Sequence, residues 1–140
     1  MYRPLALIAL LAGSVAFAET APDAVEPLPD GVLTLTAPQL TELAARVDGL
    51  LVVDARLAAD RAQGYIEDSI SLPNVETDCA ALARRIPDRN RPVVFYCNGV
   101  RCGRSLDSVQ KARACGYTRV FWFRGGFEEW RAEGYPLVKD

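Results

Sequence analysis

The residues in this 140-residue chain best equipped for covalent chemistry are its four cysteines, Cys79, Cys97, Cys102 and Cys115. Histidine is absent. That removes Ser-His-Asp and Cys-His nucleophile pairs, histidine acid–base catalysis and histidine-containing metal sites. A working cysteine must therefore be activated by the backbone and by cations. The stretch Tyr96-Cys97-Asn98-Gly99-Val100-Arg101-Cys102-Gly103-Arg104-Ser105 meets that requirement. It joins an apolar run to the start of a helical pattern, and a helix start offers unpaired N–H groups and the positive end of a dipole. Gly99 and Gly103 let the backbone curl so that several N–H groups converge. Arg101 and Arg104 add positive charge near the thiol. All three features favour thiolate, the nucleophilic form. Cys97 is the candidate nucleophile, and residues 98–104 are the candidate anion-binding loop.

Cys102 lies close enough in sequence for a curled loop to bring it within disulfide reach of Cys97. It reads as a resolving thiol, as one half of a redox gate, or as an inert cysteine at the helix start. Cys79 and Cys115 sit near a helix start and a helix end, either as separate packing residues or as a structural disulfide. Two thiols without histidine supply too few ligands for a metal site, and nothing in the sequence calls for a cofactor.

These side chains need a scaffold. Half of the residues are hydrophobic, enough for one globular domain. Sixteen Lys and Arg against eighteen Asp and Glu leave a net charge of −2, which argues against nucleic acid or an anionic membrane as partner. Along the chain, strand and helix patterns alternate. Residues 32–35 form a short strand. Thr36 and Gln39 make a capping box, Pro38 sits in the first turn, and Leu40, Leu43, Ala44 and Val47 give a helical stripe. Residues 50–53 form a strand ending at Asp54, followed by a short helix over 56–63 and a brief strand over 69–72. Asp78 caps a helix running to Ile86. Residues 92–96, Pro-Val-Val-Phe-Tyr, lack alternation and predict a parallel strand covered on both faces. Helix 103–115, strand 119–123 and helix 127–133 complete the series. The expectation is an α/β domain with a mainly parallel central sheet flanked by helices on both faces, and ligands in such sheets bind beyond the carboxyl ends of the strands. Cys97 stands at such an end. Asp54 and Arg56 read as a strand-end salt bridge. Phe121, Trp122, Phe123 and Trp130 read as core.

The first eighteen residues have one basic residue, Arg3, an apolar run over 5–15 and Ala16-Phe17-Ala18 before Glu19. This is the pattern of a secretory signal peptide cleaved after Ala18, too short for a spanning helix. A periplasmic or secreted location permits disulfides. Residues 19–31, with Pro22, Pro27 and Pro29 among acidic residues, read as a tether, so the domain is expected over 32–140.

Several segments carry a family resemblance. Leu51-Val52-Val53-Asp54-Ala55-Arg56, Gly64-Tyr65-Ile66 with Ser71-Leu72-Pro73-Asn74, and Val93-Val94-Phe95-Tyr96-Cys97 occur in order. Gly116-Tyr117-Thr118-Arg119-Val120 and Arg124-Gly125-Gly126-Phe127 with Trp130 and Tyr135-Pro136-Leu137 follow. Together they resemble the rhodanese-like domain, a single-domain sulfurtransferase type. Tyr65 stands where that family usually has histidine, and the loop after Cys97 looks longer than usual, with a second cysteine inside it. The resemblance implies that Cys97 attacks the outer sulfur of thiosulfate or a persulfide and passes it, as a Cys97 persulfide, to a thiol or cyanide. Backbone N–H groups of residues 98–103 would hold the persulfide, and Arg101 or Arg104 would orient an anionic donor. The implied partners are small sulfur-containing anions or protein persulfides and thiols, with no nucleic acid and no membrane once the leader is removed. Two other readings share these residues: a thiol–disulfide or sulfur carrier using Cys97 and Cys102, and a catalytically silent binding module.

Overall fold

The computed structural model describes residues 28–140. The expected leader and most of the expected tether lie outside the described residues. Five parallel strands form the central sheet: β1 (Leu33–Thr34), β2 (Leu51–Asp54), β4 (Ile70–Ser71), β5 (Val93–Tyr96) and β6 (Val120–Phe123). Their order is β1-β6-β5-β2-β4, so β5 is central. A separate antiparallel ribbon pairs β3 (Tyr65–Ile66) with β7 (Leu137–Val138). The helices are α1 (Ala37–Arg46), α2 (Ala58–Arg61), α3 (Cys79–Arg85), α4 (Arg104–Ala114) and α5 (Gly126–Ala132), with a 3₁₀ turn at Asn74–Glu76.

Side chains of β5 alternate between two apolar clusters. Val93 and Phe95 pack with Leu82 of α3, Ile86 just after it, and Leu106 and Val109 of α4. Val94 and Tyr96 pack with Ala37, Leu40 and Trp130 from α1 and α5. The sheet is thus covered on both faces, which accounts for the unbroken apolar run over residues 93–96.

The capping box is present: Gln39 N–H donates to Thr36 Oγ1 and Thr36 N–H to Gln39 Oε1. Asp78 Oδ1 accepts from Ala81 N–H at 2.7 Å and starts α3. Cys79 and Cys115 are joined in a disulfide, with Cα atoms 5.4 Å apart, tying the start of α3 to the end of α4.

The structure corrects the sequence reading in three places. The helix expected over 56–63 covers only Ala58–Arg61, because Arg56 turns inward to meet Asp54. The ribbon β3–β7 was not foreseen, since two-residue strands carry no periodicity to read. Residues 28–31 dock on the domain: Leu28 packs against the core and Arg113 Nη2 donates to the Asp30 carbonyl at 2.8 Å. The folded part therefore begins before Val32.

Candidate active site

Cys97 follows the last residue of β5 and is 1% exposed. Its surroundings are built from three directions. Below it, Tyr96 pairs with Asp54 at the ends of β5 and β2. Asp54 and Arg56, both buried, form a two-pronged ion pair: Arg56 Nε donates to Asp54 Oδ1 at 2.9 Å and Nη2 to Oδ2 at 2.8 Å. Tyr96 Oη donates to the same Oδ2 at 2.9 Å, and Arg61 Nη1 reaches it at 3.1 Å. Burial opposes the charge on Asp54, but the hydrogen bonds and charge of Arg56 override it and hold the carboxyl below its ordinary value. Burial, reinforced by the Asp54 charge, pushes the Tyr96 phenol up to about 12. The phenol therefore stays protonated and serves as a fixed donor. Arg56 Nη1 also reaches Asn98 Oδ1 at 3.4 Å, which connects this network to the loop.

From one side comes α5. Phe127 N–H donates to the Cys97 carbonyl at 2.9 Å and Glu128 N–H to the Asn98 carbonyl at 2.8 Å. This approach depends on Gly126, which has φ +57° and lies so near the Cys97 carbonyl that a Cβ there would overlap it. From the other side, α4 starts at Arg104 with no side-chain cap, so its first N–H groups face the loop end. Trp122 Nε1 donates to Ser105 Oγ at 2.9 Å and anchors that helix start to β6.

The loop itself curls: Cys102 N–H donates to the Gly99 carbonyl at 3.0 Å. The amides of Asn98, Gly99, Val100, Arg101 and Gly103 have no protein acceptor among the described residues. Asn98, Gly99, Val100, Arg101, Cys102 and Glu128 line a cavity of about 280 Å³. Arg101 and Val100 are exposed at its edge. Arg104 is drawn aside, its Nη1 donating to Asn74 Oδ1 at 3.1 Å. Of the two arginines named as donor-orienting, only Arg101 lines the cavity.

Cys97 and Cys102 are joined in a disulfide, their Cα atoms 6.1 Å apart. This replaces the expectation of a resting thiolate at position 97: the Cys97 sulfur is masked until the bond is reduced. It also removes the reading of Cys102 as an inert cysteine. Glu128 was missed from the sequence, because a glutamate in the first turn of a helix reads as solvated surface. The usable signal was Gly125-Gly126, which lets that helix start approach the loop. Among the described residues no group of three or more Cys, His, Asp or Glu could hold a metal, and no helix is long and apolar enough to cross a membrane.

Comparison with known proteins matches residues 36–133 to the Rhodanese-like domain family. A protein of Allochromatium vinosum named "Sulfurtransferase" is 34% identical over 100 residues, spanning 71% of this chain and 88% of that protein. Among solved structures, the BH2092 protein from Bacillus halodurans superposes with a TM-score of 0.68 at 24% identity, over 76% of this chain and 77% of that one. The thiosulfate sulfurtransferase from Pseudomonas aeruginosa gives 0.67 at 25% identity, over 77% of this chain but only 20% of the other.

Proposed function

The chain belongs to the rhodanese-like domain family, and from that premise we propose that it is a sulfurtransferase carrying sulfane sulfur as a persulfide on Cys97. One observation carries the reading: Cys97 stands where β5 ends, beneath a curled loop of unclaimed amides at the start of α4. That is the arrangement a sulfur anion needs.

The cycle begins with reduction. One thiolate attacks the Cys97–Cys102 disulfide, giving a mixed disulfide and one free thiolate, and a second thiol releases the other cysteine. Cys97 thiolate then attacks the outer sulfur of thiosulfate. The S–S bond of the donor breaks and its electron pair leaves with sulfite. The terminal sulfur of the Cys97 persulfide carries the negative charge, which the amides of residues 98–103 stabilise. An acceptor thiolate or cyanide attacks that sulfur, and Cys97 departs as thiolate. Arg101 draws the anionic donor to the cavity. Asp54, Arg56 and Tyr96 take no part in bond making; they fix the strand ends and, through Asn98, the loop.

The test is thiocyanate formation from thiosulfate and cyanide by reduced protein. Cys97→Ser abolishes turnover and the persulfide mass increment of one sulfur atom, whereas Cys102→Ser retains both. An active Cys97→Ser variant rejects the reading.

The Cys97–Cys102 disulfide favours a second reading, a sulfur or thiol carrier. There the Cys102 thiolate attacks the inner sulfur of the Cys97 persulfide, hydrosulfide leaves, and the disulfide re-forms. Loss of turnover in both single variants, with hydrosulfide released stoichiometrically from loaded wild-type protein, selects it. Export is part of the proposal. The leader pattern over residues 1–18 supports it, as do two disulfides among four cysteines, which suit an oxidising compartment. N-terminal sequencing of the periplasmic protein is expected to begin at Glu19.

A further inference from the structure

Few of the arginines in and around the Cys97 loop reach the cavity beside Cys102. Arg56 is neutralised by Asp54, whereas Arg104 keeps its charge but is turned aside to the neutral Asn74 amide. Arg124 lies over the Trp122 ring, 5.8 Å from its centre. Only Arg101 lines the cavity without an ion pair among the described residues. Glu128, an acid, shares that lining. The Glu128 N–H holds the Asn98 carbonyl, which fixes the glutamate backbone against the loop. Its carboxyl carbon lies 2.7 Å from where a Cβ on residue 99 would stand, so the carboxylate occupies the space that Gly99 leaves vacant. The carboxylate has no hydrogen-bond or ion-pair partner among the described residues. A second acid lies nearby, with Asp60 Oδ2 accepting from Asn98 Nδ2 at 3.4 Å.

We propose that Glu128 is a specificity-determining residue that filters donors by charge, favouring singly charged sulfane-sulfur compounds such as organic thiosulfonates over the thiosulfate dianion. The substrate side of this inference rests on the sulfurtransferase reading; the charge filter itself does not. A unit charge at the rim of a solvent-facing pocket changes the local concentration of a charged ligand about three- to tenfold per ligand charge at low ionic strength. A dianion feels the repulsion of Glu128 and the attraction of Arg101 twice over, so neutralising the glutamate changes its local concentration by the square of the factor for a monoanion. The chemistry is the same for both donors. Cys97 thiolate attacks the sulfane sulfur and the donor S–S bond breaks. The electron pair leaves with sulfite from thiosulfate, or with methanesulfinate from methanethiosulfonate.

The test begins with reactivity, which needs no turnover. In a Cys102→Ser background Cys97 is the single unpaired cysteine, and its alkylation by iodoacetate and by iodoacetamide differs only in reagent charge. Changing Glu128→Gln is expected to raise the iodoacetate-to-iodoacetamide rate ratio at Cys97 about three- to tenfold. Glu128→Lys raises it further, and 1 M KCl collapses the series. A ratio that stays flat across Glu, Gln and Lys overturns the proposal. The second arm compares kcat/KM for thiosulfate and methanethiosulfonate in protein with Cys102 intact. Glu128→Gln is expected to raise the thiosulfate-to-thiosulfonate ratio by a similar factor, chiefly through KM. If both donors load Cys97 and their ratio is unchanged in Glu128→Gln, the filter fails while the sulfurtransferase reading stands. If the alkylation ratio moves but neither donor yields a persulfide, the charge filter stands while the sulfurtransferase reading falls.

Discussion

Asp54 and Arg56 carry opposite charges in a region with almost no solvent access, 0% and 1% exposed. Such a pair contributes little net stability when intact, yet removing one partner strands the other. Asp54→Ala is expected to cost about 3–5 kcal/mol in urea unfolding, with Asp54→Asn intermediate because it keeps the shape and some hydrogen bonding. The depressed carboxyl also sets the acid limb of stability. A group whose pKa is lower folded than unfolded contributes fully above its unfolded value near 3.8 and loses that contribution as pH falls through the folded value. Below about pH 4 the wild type should therefore lose stability more steeply than Asp54→Asn, as measured by urea midpoints across pH. Tyr96 works at the other end. Its phenol is harder to ionise folded than unfolded, so stability falls as pH rises from 10 towards about 12, and Tyr96→Phe flattens that fall. At this scale the sequence was informative about the place of Cys97 beyond a strand end and about the bracing pair, because both follow from residue type at a strand end. It was silent on Tyr96 as donor to Asp54 and on Glu128, since their roles arise only from neighbours distant in the chain.

Elements were readable where several local signals coincided. Thr36, Pro38, Gln39 and a helical stripe agreed on α1, and an unbroken apolar run preceding Cys97 agreed on β5. The short helix after Asp54 was overdrawn because propensity alone extended it, while burial of Arg56 removed its first residues. The turn from β6 into α5 shows how one element positions another's chemistry. Gly126 adopts a left-handed conformation and touches the Cys97 carbonyl, so any side chain there pushes α5 away from the loop. Gly126→Ala is expected to cost about 1–3 kcal/mol of stability and to lower the Cys97 alkylation rate in reduced protein. A stable variant with unchanged alkylation would show that α5 does not hold the loop.

For the whole molecule, the two disulfides differ in what they restrain. Cys79–Cys115 closes a loop with a separation of 36 residues and staples two helices on one face. On the chain-entropy model its removal in a Cys79→Ala, Cys115→Ala variant is expected to cost about 3–4 kcal/mol, read as a lowered urea midpoint. Cys97–Cys102 spans only five positions and restrains little beyond its own loop. Opening it with a mild dithiol should expose reactive sulfur while circular dichroism stays native. The sheet order has a consequence for durability. β5 has a partner on each side and helices above and below, so its amides should be the last to take up deuterium, after those of β1 and β4 at the margins. The Cys97 sulfur, one residue beyond the slowest-exchanging rung, loses its footing only when the entire domain melts. Heat inactivation and global unfolding should then trace the same curve, and fraying at the sheet margins should leave the chemistry untouched.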